Sequence, residues 1–212
     1  MNYTHDMPEY RERRERSSCP WNGAYYYSRE IVENIIPRVN TSRAWVTVNH
    51  EGKCEDGAIV FVHNNKNPHL YNWLSSYRDL ILVCGVPQTC GKVAHLGTAV
   101  YLPLSVDVAY VERFRRPKDR DTAYVGRLGK VWTQVMPRGL QRVGDMPRDE
   151  LLAEMARCRE VYAVGRCAIE ARVLGCEVLP FDSRYPDPSI WEIVDNAEAA
   201  DMLQGILDGV DS

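Results

Sequence analysis

The chain has 212 residues, of which 45% are hydrophobic and 26% charged, with a formal net charge of -3. That balance excludes wholesale disorder and allows one large domain or two small ones with a substantial core. The longest apolar runs are far too short to cross a bilayer and the first residues hold no apolar signal core, so no transmembrane segment and no secretory signal are expected.

Residues 1–19 alternate arginine and glutamate and read as a flexible, solvated arm. Asn22-Gly23 is a turn signal, and Tyr25–Ile36 then predicts a helix ended by Pro37. Ala44–Val48 predicts a strand. Ala58–Val62 and Leu80–Val83 are continuous apolar runs, as in strands buried on both faces. A short helix is expected over Pro68–Ser75, a break at Gly85 and Pro87, and a further strand over Ala99–Leu102.

Segment 111–130 holds seven basic residues against three acids. Arg116-Pro117-Lys118-Asp119 reads as an exposed connection, which puts a domain boundary near residues 105–106. Strands are then expected over Ala123–Val125, Val131–Val135, Leu140–Val143, Glu160–Ala163 and Glu177–Leu179. Helices are expected from Pro147 to Arg157 and over Arg166–Leu174, the second closed by Gly175. Residues 191–212 read as a terminal helix and acidic tail. The rhythm implies an α/β protein with a domain over 20–105 and another over 106–190.

Seven cysteines without a C-x-x-C read as scattered reduced thiols, which points to the cytoplasm. The five histidines include no H-x-x-x-H, so no metal site is expected.

The most informative stretch is Glu160–Asp182: strand, glycine turn, helix, glycine stop, strand. A helix starting at Gly165-Arg166-Cys167 points backbone N–H groups at the mouth of the sheet, and Arg166 adds a full positive charge. Glu170 follows one turn later, near the carboxyl edge where open α/β sheets bind ligands. A carboxylate there can accept both hydroxyls of a ribose. As an isolated acid, Glu170 also fits an ordinary exposed helix face, where its replacement would cost little stability.

These residues resemble the nucleotide-sugar half of GT-B glycosyltransferases, in particular the retaining family-four type. Glu170 matches the second acid of that family's E-x7-E pattern. Ala171, Gly175 and the VLPFD strand follow in order, Gly165 matches the turn glycine, and Tyr162 stands where the family has its first acid. Tyr124–Leu128 resembles the opening strand and loop of the donor domain, with Arg127 and Lys130 as the basic pair on the diphosphate. Val143–Pro147 resembles the turn beside the nucleotide base, and Val100–Phe114 the interdomain segment. In the first half, Gly23 matches the N-terminal glycine loop, and His63 the histidine delivered to the catalytic centre.

The resemblance implies two small Rossmann-like domains facing across a cleft, in a minimal version of the family. It implies a sugar transferase without a metal or other cofactor, using a nucleotide-sugar linked to UDP or GDP. Donor-binding residues would be Gly23, Arg127, Lys130, Val143, Gly165, Arg166, Cys167 and Glu170, with His63 catalytic. The acceptor is open, and the basic segment is compatible with DNA, as in phage enzymes that glycosylate modified bases. Tyr162 and the short chain also suit a non-catalytic nucleotide or sugar binder. A Rossmann oxidoreductase is disfavoured, because no G-x-G-x-x-G follows any predicted strand.

Overall fold

The structure is a computed structural model and describes residues 29–46, 54–62, 68–126, 139–144, 146–180 and 186–211, with 68–71 described by backbone alone. The described residues include strands β1 (Trp45–Val46), β2 (Ile59–Val62), β3 (Ile81–Cys84), β4 (Thr98–Tyr101), β5 (Arg120–Val125), β6 (Gln141–Val143), β7 (Cys158–Tyr162) and β8 (Glu177–Leu179). They also include helices α1 (Pro87–Val93), α2 (Val108–Glu112), α3 (Arg148–Met155), α4 (Arg166–Val173) and α5 (Asn196–Val210). The chain divides into two compact units. Of the described residues, the first takes those within 29–103 and 196–211, and the second takes those within 104–195. Among the described residues each unit holds one four-stranded sheet, and every strand pair is parallel. The protein is therefore α/β.

In the first unit the strands lie side by side in chain order, β1-β2-β3-β4. β2 and β3 are buried at every position, as their uninterrupted apolar sequences require. One face presents Val46, Val60, Val62, Leu82 and Cys84 to a core completed by Leu74, Val93 and Leu96. The other face buries Ile59, Ile81, Val83 and a stacked Trp45–Phe61 pair with centroids 5.8 Å apart. Helix α5 belongs to this unit and packs on Ile31–Arg38. Asn40 N–H donates to Gln204 at 2.7 Å, and Arg43 pairs with Asp211 at 2.6 Å. The helix expected to stop at Pro37 instead widens over Ile31–Ile35, where Ile36 N–H donates to Ile31 O, and tightens into a turn that contains Pro37. Proline has no N–H to continue the ladder, and the change of pitch accommodates it.

In the second unit the spatial order is β6-β5-β7-β8. The chain leaves β5 for β6 on one side and returns to β7 on the other, so the direction of winding reverses between β5 and β7. Helix α4 begins at Gly165 (φ 63°, ψ -139°), a backbone state essentially restricted to glycine. It stops at Gly175 (φ 76°), where Gly175 N–H donates to Arg172 O and Cys176 N–H to Ala171 O, both at 2.9 Å. This pair of bonds is the Schellman closure that the glycine stop predicts.

The boundary between the units falls between Pro103 and Leu104. Arg116–Asp119 is a largely exposed connection, but it joins α2 to β5 inside the second unit. Its charge serves helix ends. Lys118 Nζ donates to Ala156 O at 2.9 Å and Leu174 O at 2.8 Å, the C-caps of α3 and α4. Arg115 Nε donates to Val173 O at 2.6 Å, and Arg120 pairs with Glu154. Cations at helix C-termini are stabilised by the dipole and by the last carbonyls. Lys118→Ala should therefore destabilise the protein by about 1.5–3 kcal/mol, the range for hydrogen bonds to a charged group. Urea unfolding checks this, and an unchanged midpoint would mean that water caps both helices equally well.

Candidate functional site

Open parallel sheets bind ligands at the carboxyl ends of the strands where the winding reverses. In the second unit those strands are β5 and β7. Beyond β5 comes Gly126 (φ 143°), whose N–H donates to Val143 O at 3.0 Å and whose carbonyl accepts from Arg142 Nε at 3.1 Å. At the end of β6, Gly144 lies so close that a Cβ there would collide with the Gly126 carbonyl. Beyond β7, Gly165 turns the chain into α4. The helical ladder starts with Ala168 N–H donating to Gly165 O at 2.9 Å, so the amides of Arg166 and Cys167 precede it. They form the positive end of α4.

Glu170 and Arg166 lie one turn apart on α4, and both are buried, at 4% and 7% exposure. Arg166 Nε donates to Glu170 Oε1 at 3.0 Å. A second guanidinium arrives from α3, where Arg148 Nη2 donates to the same Oε1 at 3.1 Å. A carboxylate oxygen offers about two lone-pair sites. Oε1 is therefore filled by two arginines, and among the described residues both side-chain hydrogen bonds of Glu170 go to that oxygen. Oε2 keeps its acceptor capacity.

Arg148 is itself held in place. Its guanidinium lies over the Tyr110 ring, 5.1 Å from the centroid, and Arg113 lies over the same ring at 4.3 Å. The Tyr110 hydroxyl bonds to Asp149 Oδ1. Burial, and next the Asp149 carboxylate, raise the Tyr110 phenol above its ordinary value, so it stays protonated and donates. Tyr110 stands on α2, whose start is capped by the Asp107 carboxylate accepting from Tyr110 N–H at 2.8 Å.

The structure thus brings Arg166 and Glu170 together behind Gly165, with Cys167 half-buried in the first turn of the same helix. It buries the Val143 side chain and engages its carbonyl with Gly126. Gly23, His63, Arg127 and Lys130 lie outside the described residues, as does the strand expected over Val131–Val135. The exposed placement expected for Glu170 is corrected: two guanidiniums enclose it, and this pairing depends on tertiary contact with α3. Arg148, Tyr110 and Asp149 escaped the sequence reading. One signal was present, because Arg148 and Arg166 both occupy the first position of a helix, where the dipole disfavours a cation unless a nearby anion compensates it.

Among the described residues no group of three or more His, Cys, Asp or Glu side chains could hold a metal ion, and no helix is long and apolar enough to cross a membrane. Against known proteins, the chain matches no family model, no curated protein and no solved structure.

Proposed function

We propose that the second unit binds the nucleoside diphosphate of a nucleotide-sugar, and that the protein is a minimal glycosyltransferase of the GT-B type. The observation that carries the reading is Glu170: a buried carboxylate behind the Gly165 turn, with Oε1 filled by two arginines and the acceptor capacity of Oε2 left over among the described residues. It stands at the winding reversal of a parallel sheet, where such folds hold nucleotides. Hydroxyl donors on adjacent carbons, as in ribose, match the two lone-pair sites of that oxygen.

In this reading Gly165, Arg166 and the amides leading to Cys167 neutralise the diphosphate, with Arg127 and Lys130 following Gly126 from the other side of the reversal. Preorganised charges of this kind stabilise a diphosphate leaving group as the glycosidic bond breaks, with no metal in the role. Val143 and Gly144 border the base. By the same resemblance the first unit takes the acceptor, and Gly23 and His63 are the residues expected to meet the transferred sugar.

Calorimetric titration of UDP and GDP, each beside its 2′,3′-dideoxy analogue, tests the reading. The ribonucleotide should bind roughly 10- to 100-fold more tightly, the worth of hydrogen bonds to a charged acceptor, and Glu170→Gln should remove most of that preference. No difference between ribo- and dideoxynucleotide would overturn it. A non-catalytic binder is the second reading, favoured by Tyr162 at the end of β7 in place of the family's first acid. Release of free nucleoside diphosphate from a UDP- or GDP-sugar during incubation separates the two.

A further inference from the structure

We propose that Arg148 is a positioning residue for ribose recognition, acting through Glu170 rather than on the nucleotide itself. The inference rests on the nucleotide-binding reading of the second unit and deepens it.

The argument begins with the freedom of the carboxylate. Arg166 and Glu170 are four residues apart on one helix, so their 3.0 Å bond lets both side chains swing together. The bond from Arg148 comes from α3 and ties the same oxygen to a different element. With two N–H donors converging on Oε1 from two helices, rotation about the last torsion of Glu170 breaks at least one bond. Oε2 is therefore held in one direction. Terminal carboxylate torsions are otherwise broad and roughly two-fold, so without Arg148 either oxygen could face the ligand.

Arg148 is also held by groups other than Glu170. The Tyr110 ring supports its guanidinium, and the hydroxyl of that ring is bonded to Asp149, the residue after Arg148. Tyr110 belongs to α2, so α2, α3 and α4 all converge on one carboxylate. The Arg148 side chain is 15% exposed, against 5% for that of Glu170, so the arginine is the more accessible partner of the pair. Its forked geometry allows one nitrogen to hold Oε1 while the planar face stacks on the ring, which an ammonium cannot do.

The experiment measures preference for UDP over 2′,3′-dideoxy-UDP, and for GDP over its dideoxy analogue. It is made by calorimetry on the parent, Arg148→Ala, Arg148→Lys, Glu170→Gln and the Arg148→Ala/Glu170→Gln double variant. Arg148→Ala should lower the ribose preference from about 10- to 100-fold to a few-fold, leaving affinity for the dideoxynucleotide nearly unchanged. Arg148→Lys keeps a countercharge beside Glu170 and should give an intermediate preference. It also supplies the answer should the alanine variant not fold. The double variant should lose no more than Glu170→Gln alone, because both changes remove one interaction. Full ribose preference in Arg148→Ala, or in Arg148→Lys if only that variant folds, would overturn the inference and leave Glu170 as the ribose ligand. Equal weakening of both nucleotides would also overturn it, since that pattern marks direct phosphate contact. Absence of ribose preference in the parent would overturn the nucleotide reading itself, and the role of Arg148 with it.

Discussion

Glu170→Ala is expected to destabilise the protein by about 3–5 kcal/mol, the cost of removing one partner from a buried ion pair. The two guanidiniums it leaves behind, Arg148 and Arg166, sit in a buried cluster where water replaces the carboxylate poorly. Glu170→Gln should cost less, because the amide oxygen still accepts a hydrogen bond while the charge is lost. Replacing the group together, with Arg148→Met, Glu170→Leu and Arg166→Met, should recover much of the alanine loss, since an apolar cluster of similar volume leaves no charge stranded. Urea unfolding of the three variants makes the comparison. A loss under about 1 kcal/mol for Glu170→Ala would place the carboxylate in the class of exposed ion pairs and contradict the enclosure by two arginines.

The strands were the most legible part of the fold. β2 and β3 coincide with the apolar runs at 58–62 and 80–83 to within a residue, and β8 matches Glu177–Leu179. Strands buried on both faces leave no polar alternation to misread. The helices next to prolines were harder. Gly85 and Pro87 read as a break, yet Pro87 opens α1 from the first position, where its missing N–H costs nothing. Helix α2 is only five residues long, and its one local mark is the Asp107 cap. The basic stretch around Arg116 read as a linker because its partners, the carbonyls of Ala156, Val173 and Leu174, come from far along the chain.

The candidate site was half legible, for the same reason. Glycine turns and the Arg166–Glu170 spacing are local, so Gly165, Gly175 and the i,i+4 pair could be read from the sequence. The burial of Glu170 could not, because the groups that bury it arrive from α2 and α3. Likewise, the order β6-β5-β7-β8 that places the reversal beside Gly165 depends on pairings between β5, β6 and β7 that no single segment encodes.

Gly144→Ala is the second change of large expected effect, and it acts on the backbone. Gly144 follows β6, and a Cβ there would meet the carbonyl of Gly126, a backbone atom that cannot rotate aside as a side chain can. Gly126 is doubly fixed, through its N–H to Val143 O and its carbonyl to Arg142 Nε. Relief therefore requires β5 and β6 to part at their carboxyl ends, breaking the 3.0 Å bond between Gly126 and Val143. Overpacking of this kind costs about 1–3 kcal/mol, and backbone contact puts the expectation at the upper end. The displaced residue is Gly126, which Arg127 and Lys130 follow in the sequence, so on the proposed reading nucleoside diphosphate affinity should fall as well. The unphosphorylated nucleoside should lose less, since it carries no charge for Arg127 and Lys130 to meet. Gly205→Ala on α5 is the matched control, because a Cβ there has open space and alanine favours the helix by about 1 kcal/mol. Unfolding midpoints for both variants, with titration of diphosphate and nucleoside, decide the matter. Gly144→Ala with parental stability would show that the β5–β6 edge yields freely, and that the close approach of the two glycines is not what fixes Gly126 at the end of β5.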